Sequence, residues 1–273
     1  MWHIFSKSCI GYGHLKDKKP CQDFSAQYKD NNRMIVTCCD GHGGDIYIRS
    51  NIGSKLASDA IINVFRKIDK IDYDDCTVKE FRDRIRLEVL CEWNKLVEID
   101  LAKKPIKKTE TKMLDCDKQD LLKLSPVKAY GTTLAGAMVL DDKLVVISIG
   151  DTEVIGIYKG EIRKMVNSDD DPVGNLTYSM CQEDAFKYLR VAIYDLKFYD
   201  GILLCTDGLS SPYQSYDNFN KSFVRPLMKR TIHQISDSFI DKFLEDIART
   251  YGTGDDVSLS YIINDKAFKK YYK

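Results

Sequence analysis

The spacing of apolar residues changes several times along the chain, and each change predicts an element. Residues 2–10 and 22–28 read as strands, KDNN at 29–32 as a turn, and 33–39 as a further strand. Within that last strand, Met34 to Cys39 is apolar at nearly every position, the mark of a strand covered on both faces. From Asp45 the period lengthens. Ile52, Leu56, Ala60, Ile61, Val64, Phe65 and Ile68 recur three or four apart and predict an amphipathic helix. After an acidic DYDD turn, Phe81, Ile85, Val89, Trp93 and Leu96 predict a second helix, and Ile235, Phe239, Ile240, Phe243, Leu244, Ile247 and Tyr251 outline a third.

Strand patterns return at 131–140, 143–149, 153–158 and 161–166, joined only by DD, GDT and KG. Connections that short imply antiparallel neighbours. Residues 189–196, 201–207 and the late run VSLSYII complete the strands. Helices do not alternate with strands, so a doubly wound parallel sheet is disfavoured and an α+β arrangement of antiparallel sheets covered by helices is expected.

Composition changes this picture little. The 273 residues include 41 Lys and Arg against 41 Asp and Glu, so net charge argues neither for nor against a nucleic-acid partner, and none is expected. The lysine-rich segment 103–128 is interrupted by acids and has no aromatic for base stacking, so it reads as a solvated insertion or irregular connection within a single domain spanning 1–273. A long polar loop is expected at 167–185, with Asp169, Asp170 and Asp171 in it. The first residues turn polar within ten positions and no run reaches the length of a membrane helix, so a cytoplasmic protein without membrane attachment is expected. Nine cysteines without a CxxC pair fit neither a zinc site nor a disulfide framework.

The informative regularity is where aspartates fall. Asp40 ends one strand, Asp151 follows another and Asp207 ends a third; Asp255 and Asp256 precede the last, and Asp23 opens an early one. Glycine adjoins four of these places. Any one Asp-Gly is ordinarily a turn. Five or six at strand ends, with no lysine or arginine beside them, point to a shared place where a cation neutralises them. All-oxygen ligation selects Mg2+, Mn2+ or Ca2+ over zinc, and acids spread over the whole chain exclude the compact calcium loop of an EF-hand.

In order, GHLKDKKPCQDF, VTCCDGHGG, GTTLAGA, ISIGDTEV, LLCTDGLSS and TGDDVS resemble the metal-dependent protein phosphatases of type 2C, from about Gly11 to Ile263. The resemblance implies a four-layer α-β-β-α sandwich of two antiparallel sheets. It also implies hydrolysis of phosphoserine and phosphothreonine with two Mn2+ or Mg2+ ions, through a water activated between them. Carried over, Asp40 would bridge the two metals, Gly41 would offer its carbonyl to one, and Asp207 and Asp255 would complete the other. Asp23 would hold metal-associated waters, and Asp151 with Asp207 a third, weaker metal. His42, inside DGHGG, would be the general acid for the leaving group.

The pattern departs from the family in a few places. Gln22 stands where many members carry glutamate. The usual phosphate-binding arginine is absent, leaving Lys18 as the positional substitute with Lys19 beside it. Asp256 replaces the commoner asparagine and so competes with Asp255 as a ligand. Thr132 and Thr133 are expected to pack near the site. Two other functions share the same core: a pseudophosphatase that binds a phosphoprotein without turnover, and a phosphohydrolase of a small phosphorylated molecule. A monomer acting on a phosphorylated protein is the expectation.

Overall fold

The computed structural model describes residues 1–71, 75–166, 177–232 and 237–266. Among the described residues ten strands form two five-stranded sheets in which every pair is antiparallel. The strands are β1 (Trp2–Cys9), β2 (Phe24–Lys29), β3 (Arg33–Cys39), β4 (Leu134–Leu140), β5 (Lys143–Ile149), β6 (Glu153–Tyr158), β7 (Glu161–Lys164), β8 (Arg190–Asp195), β9 (Gly201–Cys205) and β10 (Val257–Asn264). One sheet runs β1-β10-β9-β6-β7 and the other β2-β3-β4-β5-β8.

The lack of alternation in MIVTCC has a direct cause. Side chains on a strand point to opposite faces in turn. Met34, Val36 and Cys38 enter the core between the sheets with Val146, Leu204 and Ile262. Ile35 and Cys39 enter a second core on the outer face, against the helices α2 (Ser50–Phe65) and α3 (Asp75–Lys103). A third core lies beyond the other sheet, where Leu203 and Leu259 meet the helices Arg225–Ile232 and Asp237–Asp246. The layers are therefore helix, sheet, sheet, helix, as the resemblance implies. Polar groups inside this frame are paired: Thr37 hydrogen-bonds Ser58 of α2 at 2.6 Å, and Ser260 donates to the Thr37 carbonyl across the sandwich at 2.7 Å.

Three differences from the pattern-based expectation have local causes. GHLKD forms a single-turn helix, α1 (Tyr12–Asp17), with no acidic first turn, no side-chain cap and no buried residue. It closes on Lys18, whose φ of 56° is left-handed. Tertiary bonds hold it: the Gly13 N–H donates to the Gly254 carbonyl at 2.8 Å. Within 103–128, two short helices form, α4 (Lys108–Thr111) and α5 (Cys116–Leu124). Asp115 caps α5 by accepting from the Lys118 N–H, and Leu114 and Leu122 join the core beside α3. The third helix spans Asp237–Asp246 and continues as a wider π-turn, Ile247–Tyr251; Ile235 lies outside the described residues. The first ten residues of the 167–185 loop, with Asp169, Asp170 and Asp171, also lie outside them.

The approach of α2 to the segment before β4 depends on one missing side chain. A Cβ on Gly53 would lie 2.1 Å from the Tyr130 carbonyl oxygen. The Trp93 indole N–H also reaches the Gly53 carbonyl, at 3.2 Å. Alanine at a mid-helix glycine ordinarily stabilises by roughly 0.5–1 kcal/mol. Here backbone would have to move, and overpacking of about 1–3 kcal/mol exceeds that gain. Gly53→Ala is therefore expected to lower stability in urea unfolding; a rise in the midpoint would show that α2 does not press on Tyr130.

Candidate active site

The strand register places all the singled-out acids at one end of the sandwich. Phe24 pairs with Cys39, Cys38 with Ala135, and Leu134 with Ile149, so the start of β2 and the ends of β3 and β5 lie together. Asp23, Asp40 and Asp151 follow directly from those strand ends. In the other sheet Cys205 pairs with Leu259 and Glu153, while Cys9 pairs with Val257. That gathers the end of β9 and the start of β10 at one edge, with Asp207, Asp255 and Asp256. Two bonds show that the edges belong to the same end: Thr206 donates to Asp23 Oδ2 at 2.8 Å, and the Gln22 N–H donates to Asp256 Oδ2 at 2.6 Å.

The DGHGG turn is clamped from behind. The Asp40 N–H donates to Thr133 Oγ1, and the Asp40 carbonyl accepts from the Thr132 hydroxyl and the Thr133 N–H, all within 2.9 Å. Thr132 and Thr133 thus satisfy backbone groups at the site. The Gly41 N–H donates to the Gln22 carbonyl and the His42 N–H to the Gly131 carbonyl, both at 3.1 Å. Among the described residues the Gly41 carbonyl accepts no hydrogen bond. The glycines differ in purpose. A Cβ on Gly41 would strike the Gln22 and Ser50 carbonyls at 2.5 and 2.8 Å, so that glycine is required by backbone packing. At Gly43 the nearest atom would be 3.7 Å away, so only there does the sequence leave space.

The carboxyls repel one another. Burial, and then the neighbouring Asp256, push Asp23 well above the ordinary carboxylate range. Asp40 is raised by burial and by Asp23, Asp207, Asp151 and Asp255. Asp207, open to solvent on one side, is raised by the protein packed beneath it and by Asp151 and Asp255; a hydrogen bond with Asp40 partly offsets the rise. Among the described residues no lysine or arginine ion-pairs with Asp23, Asp40, Asp151, Asp207 or Asp255. The outer acids have small partners instead: Asp151 accepts from the Thr177 hydroxyl at 2.7 Å, and Asp255 from the Asp256 N–H at 2.8 Å.

His42 packs against Tyr47 with ring centroids 4.9 Å apart, and burial lowers its pKa while Asp151 opposes the change. Its Nε2 is sealed from solvent and has no hydrogen-bond partner. A buried polar atom without a partner points to a group that completes it.

Asp256 has a different role from its neighbour. It is 3% exposed and accepts from the Gly11 N–H at 2.8 Å, the Gln22 N–H at 2.6 Å and His14 Nδ1 at 2.9 Å. It is spent on holding the chain before β2, whereas Asp255 remains exposed at the surface. The Gln22 amide donates to Ser50 Oγ at 2.7 Å and the His42 carbonyl at 3.3 Å, so it ties the turn to α2. His14 was not singled out by sequence reasoning, although an aspartate in place of asparagine calls for an additional donor. Lys18 is exposed at the end of α1, and among the described residues its ammonium makes no hydrogen bond or ion pair with the acids.

Among the described residues no three His, Cys, Asp or Glu side chains stand at metal-holding geometry. The donor chemistry nevertheless suits hard divalent cations. Carboxylates are unpaired by cations, a free carbonyl adjoins them, and no thiolate or imidazole is in the set.

The family model for protein phosphatase 2C matches residues 10–245, and the chain belongs to that family. It is a phosphoprotein phosphatase by that membership. No curated protein matches the chain. Solved structures share the fold. A serine/threonine phosphatase of S. agalactiae is 16% identical, with a TM-score of 0.62 over 97% of this chain and all of that one. The catalytic domain of the serine/threonine protein phosphatase PstP, in complex with two manganese ions, is 15% identical with a TM-score of 0.60 over 96% and 97% of the two chains. PppA of Pseudomonas aeruginosa is 17% identical with a TM-score of 0.58 over the same shares. No helix among the described residues is long and apolar enough to cross a membrane.

Carboxyls whose pKa values are raised on folding bind protons more tightly in the folded chain. Their contribution to stability is complete below the unfolded value and is lost as pH rises through the folded values. In a chelator at pH 7.5, Asp40→Asn is expected to raise the melting temperature, by roughly 2–4 °C per kcal/mol of repulsion removed. It should also abolish the increase that Mn2+ gives the wild type. A lower melting temperature in chelator, with the Mn2+ response intact, would contradict the repulsive cluster.

Proposed function

We propose that the chain is a Mn2+- or Mg2+-dependent serine/threonine protein phosphatase whose centre is built on Asp40, Gly41, Asp207 and Asp255. The observation that carries this reading is the convergence of unpaired carboxyls with the partnerless Nε2 of His42. Asp40, placed between both sets of strand ends, would contribute to both of two cations. The Gly41 carbonyl would join one, and Asp207 and Asp255 the other. Asp23, anchored by Thr206, would orient water in the cluster, and Asp151 with Asp207 would take a third, weaker cation. Two such cations lower the pKa of water between them and clamp phosphoryl oxygens.

The chain supplies positioning and one proton. Thr132, Thr133 and Gln22 hold the DGHGG backbone, so the carboxyl and the imidazole keep a fixed relation. His42 would protonate the departing serine or threonine oxygen, and its burial makes the imidazolium a stronger acid. Asp256 holds α1 and so steadies Lys18, whose ammonium would bind substrate phosphate as a point charge without the fork of a guanidinium.

The proton-donor assignment separates substrates by leaving group. p-Nitrophenolate departs without a proton, whereas a serine alkoxide needs one. His42→Gln should lose about 10²–10⁴-fold in kcat on a phosphoserine peptide, and far less on p-nitrophenyl phosphate. Equal losses on both would remove His42 from the proton-donor role. Asp207→Asn should weaken the Mn2+ dependence of p-nitrophenyl phosphate turnover by at least the ~10–100-fold that an outer-shell change costs a metal site. Unaltered metal dependence would place the cations elsewhere. A folded wild type that binds Mn2+ but turns over nothing would favour a pseudophosphatase.

A further inference from the structure

Away from the acids, the segment between α3 and β4 lines a half-open cavity of about 420 Å3. That lies within the ~300–1,000 Å3 of sites for small ligands. Its floor is apolar, formed by Leu101 at the end of α3, Pro105 and Ile106 in the following turn, Leu122 of α5, and Pro126. Lys107, Lys108 and Lys123 stand around it, and no acid is among its lining residues. Lys123 is spent on Asp120 at 2.7 Å, but among the described residues neither Lys107 nor Lys108 is in an ion pair.

The acid of α4 beside this rim is held by an arginine and by backbone. Glu110 accepts from Arg49 at 2.9 and 3.1 Å and from the Lys107 N–H at 2.8 Å. Arg49 is 5% exposed and further donates to the Lys104 carbonyl and the Tyr130 hydroxyl, both at 2.7 Å. This buried arginine holds the α4 turn against α2 and Tyr130, so the walls are built by paired groups rather than by loose chain. What remains is an apolar hole whose open charge is positive.

We propose that this cavity binds a small anionic amphiphile, an apolar body ending in one carboxylate. The apolar floor would take the body, and Lys107 and Lys108 the anion. A partner helix lying in a groove needs a row of anchor pockets at one-turn spacing. A single cavity of this volume takes one apolar body, which favours a small molecule. The site is independent of the acidic centre, and its occupancy does not require catalysis.

Calorimetric titration of the full-length chain with octanoate tests this, with 1-octanol as the uncharged comparison. Octanoate should bind saturably, one to one, and 1-octanol at least about tenfold more weakly, as loss of a charge-assisted contact implies. The variant Lys107→Glu/Lys108→Glu should lose at least about tenfold in octanoate affinity while keeping its melting temperature and its turnover of p-nitrophenyl phosphate. Ile106→Glu, at a half-buried wall position, should lose binding as well. Asp207→Asn should bind octanoate as the wild type does, which separates this site from the metal centre. Absence of saturable octanoate binding, equal binding of octanol, or wild-type affinity in the double reversal would each overturn the proposal.

Discussion

Repulsion among carboxylates governs this molecule. Burial raises Asp23, Asp40 and Asp207, and neighbouring carboxyls add to it: Asp256 at Asp23, Asp23 and Asp207 at Asp40, and Asp151 and Asp255 at Asp207; no lysine or arginine is bonded to them among the described residues. A fold that gathers such groups without a cation to neutralise them sacrifices stability. The sandwich tolerates them because the rest of its end is rigid. Strand register sets where each acid emerges, paired threonines fix the turn after β3, and Asp256 ties the first helix to the last strand. On the proposed reading, divalent cations would turn the same repulsion into affinity.

The frame supplies this rigidity through burial on both faces of its strands. Val36 and Cys38 face the opposite sheet while Ile35 and Cys39 face α2, so β3 cannot shift by one residue without exchanging two cores. A fixed β3 fixes Asp40. The glycines then act mainly as spacing elements of the backbone: Gly41 lets the chain pass the Gln22 and Ser50 carbonyls, and Gly131 lets Tyr47 and His42 pack beside it. At Gly43 a Cβ would meet its nearest neighbour at an ordinary 3.7 Å.

Much of this was legible in the residues. Period changes located the strands and the α2 and α3 helices, and the recurrence of aspartate at strand ends pointed to a common site, because both signals are local and repetitive. The family motifs added the four layers. What stayed hidden depends on contacts between distant segments. The α1 helix has neither an apolar stripe nor a side-chain cap, and it exists because Gly254 and Asp256 hold it. Asp255 and Asp256 are adjacent and chemically identical in sequence, and only burial separates an exposed candidate ligand from a structural hub. The cavity beside α5 was likewise hidden, since its walls come from three separate turns of chain and are joined by one buried arginine.

Anomalous diffraction at the manganese edge, from crystals grown with Mn2+, tests the central claim most directly. Two peaks are expected between the ends of β3, β9 and β10, one shared by Asp40 and Asp207 with Asp255 and the other reaching the Gly41 carbonyl. Manganese bound only elsewhere, or absent from this end of an intact sandwich, would contradict the account.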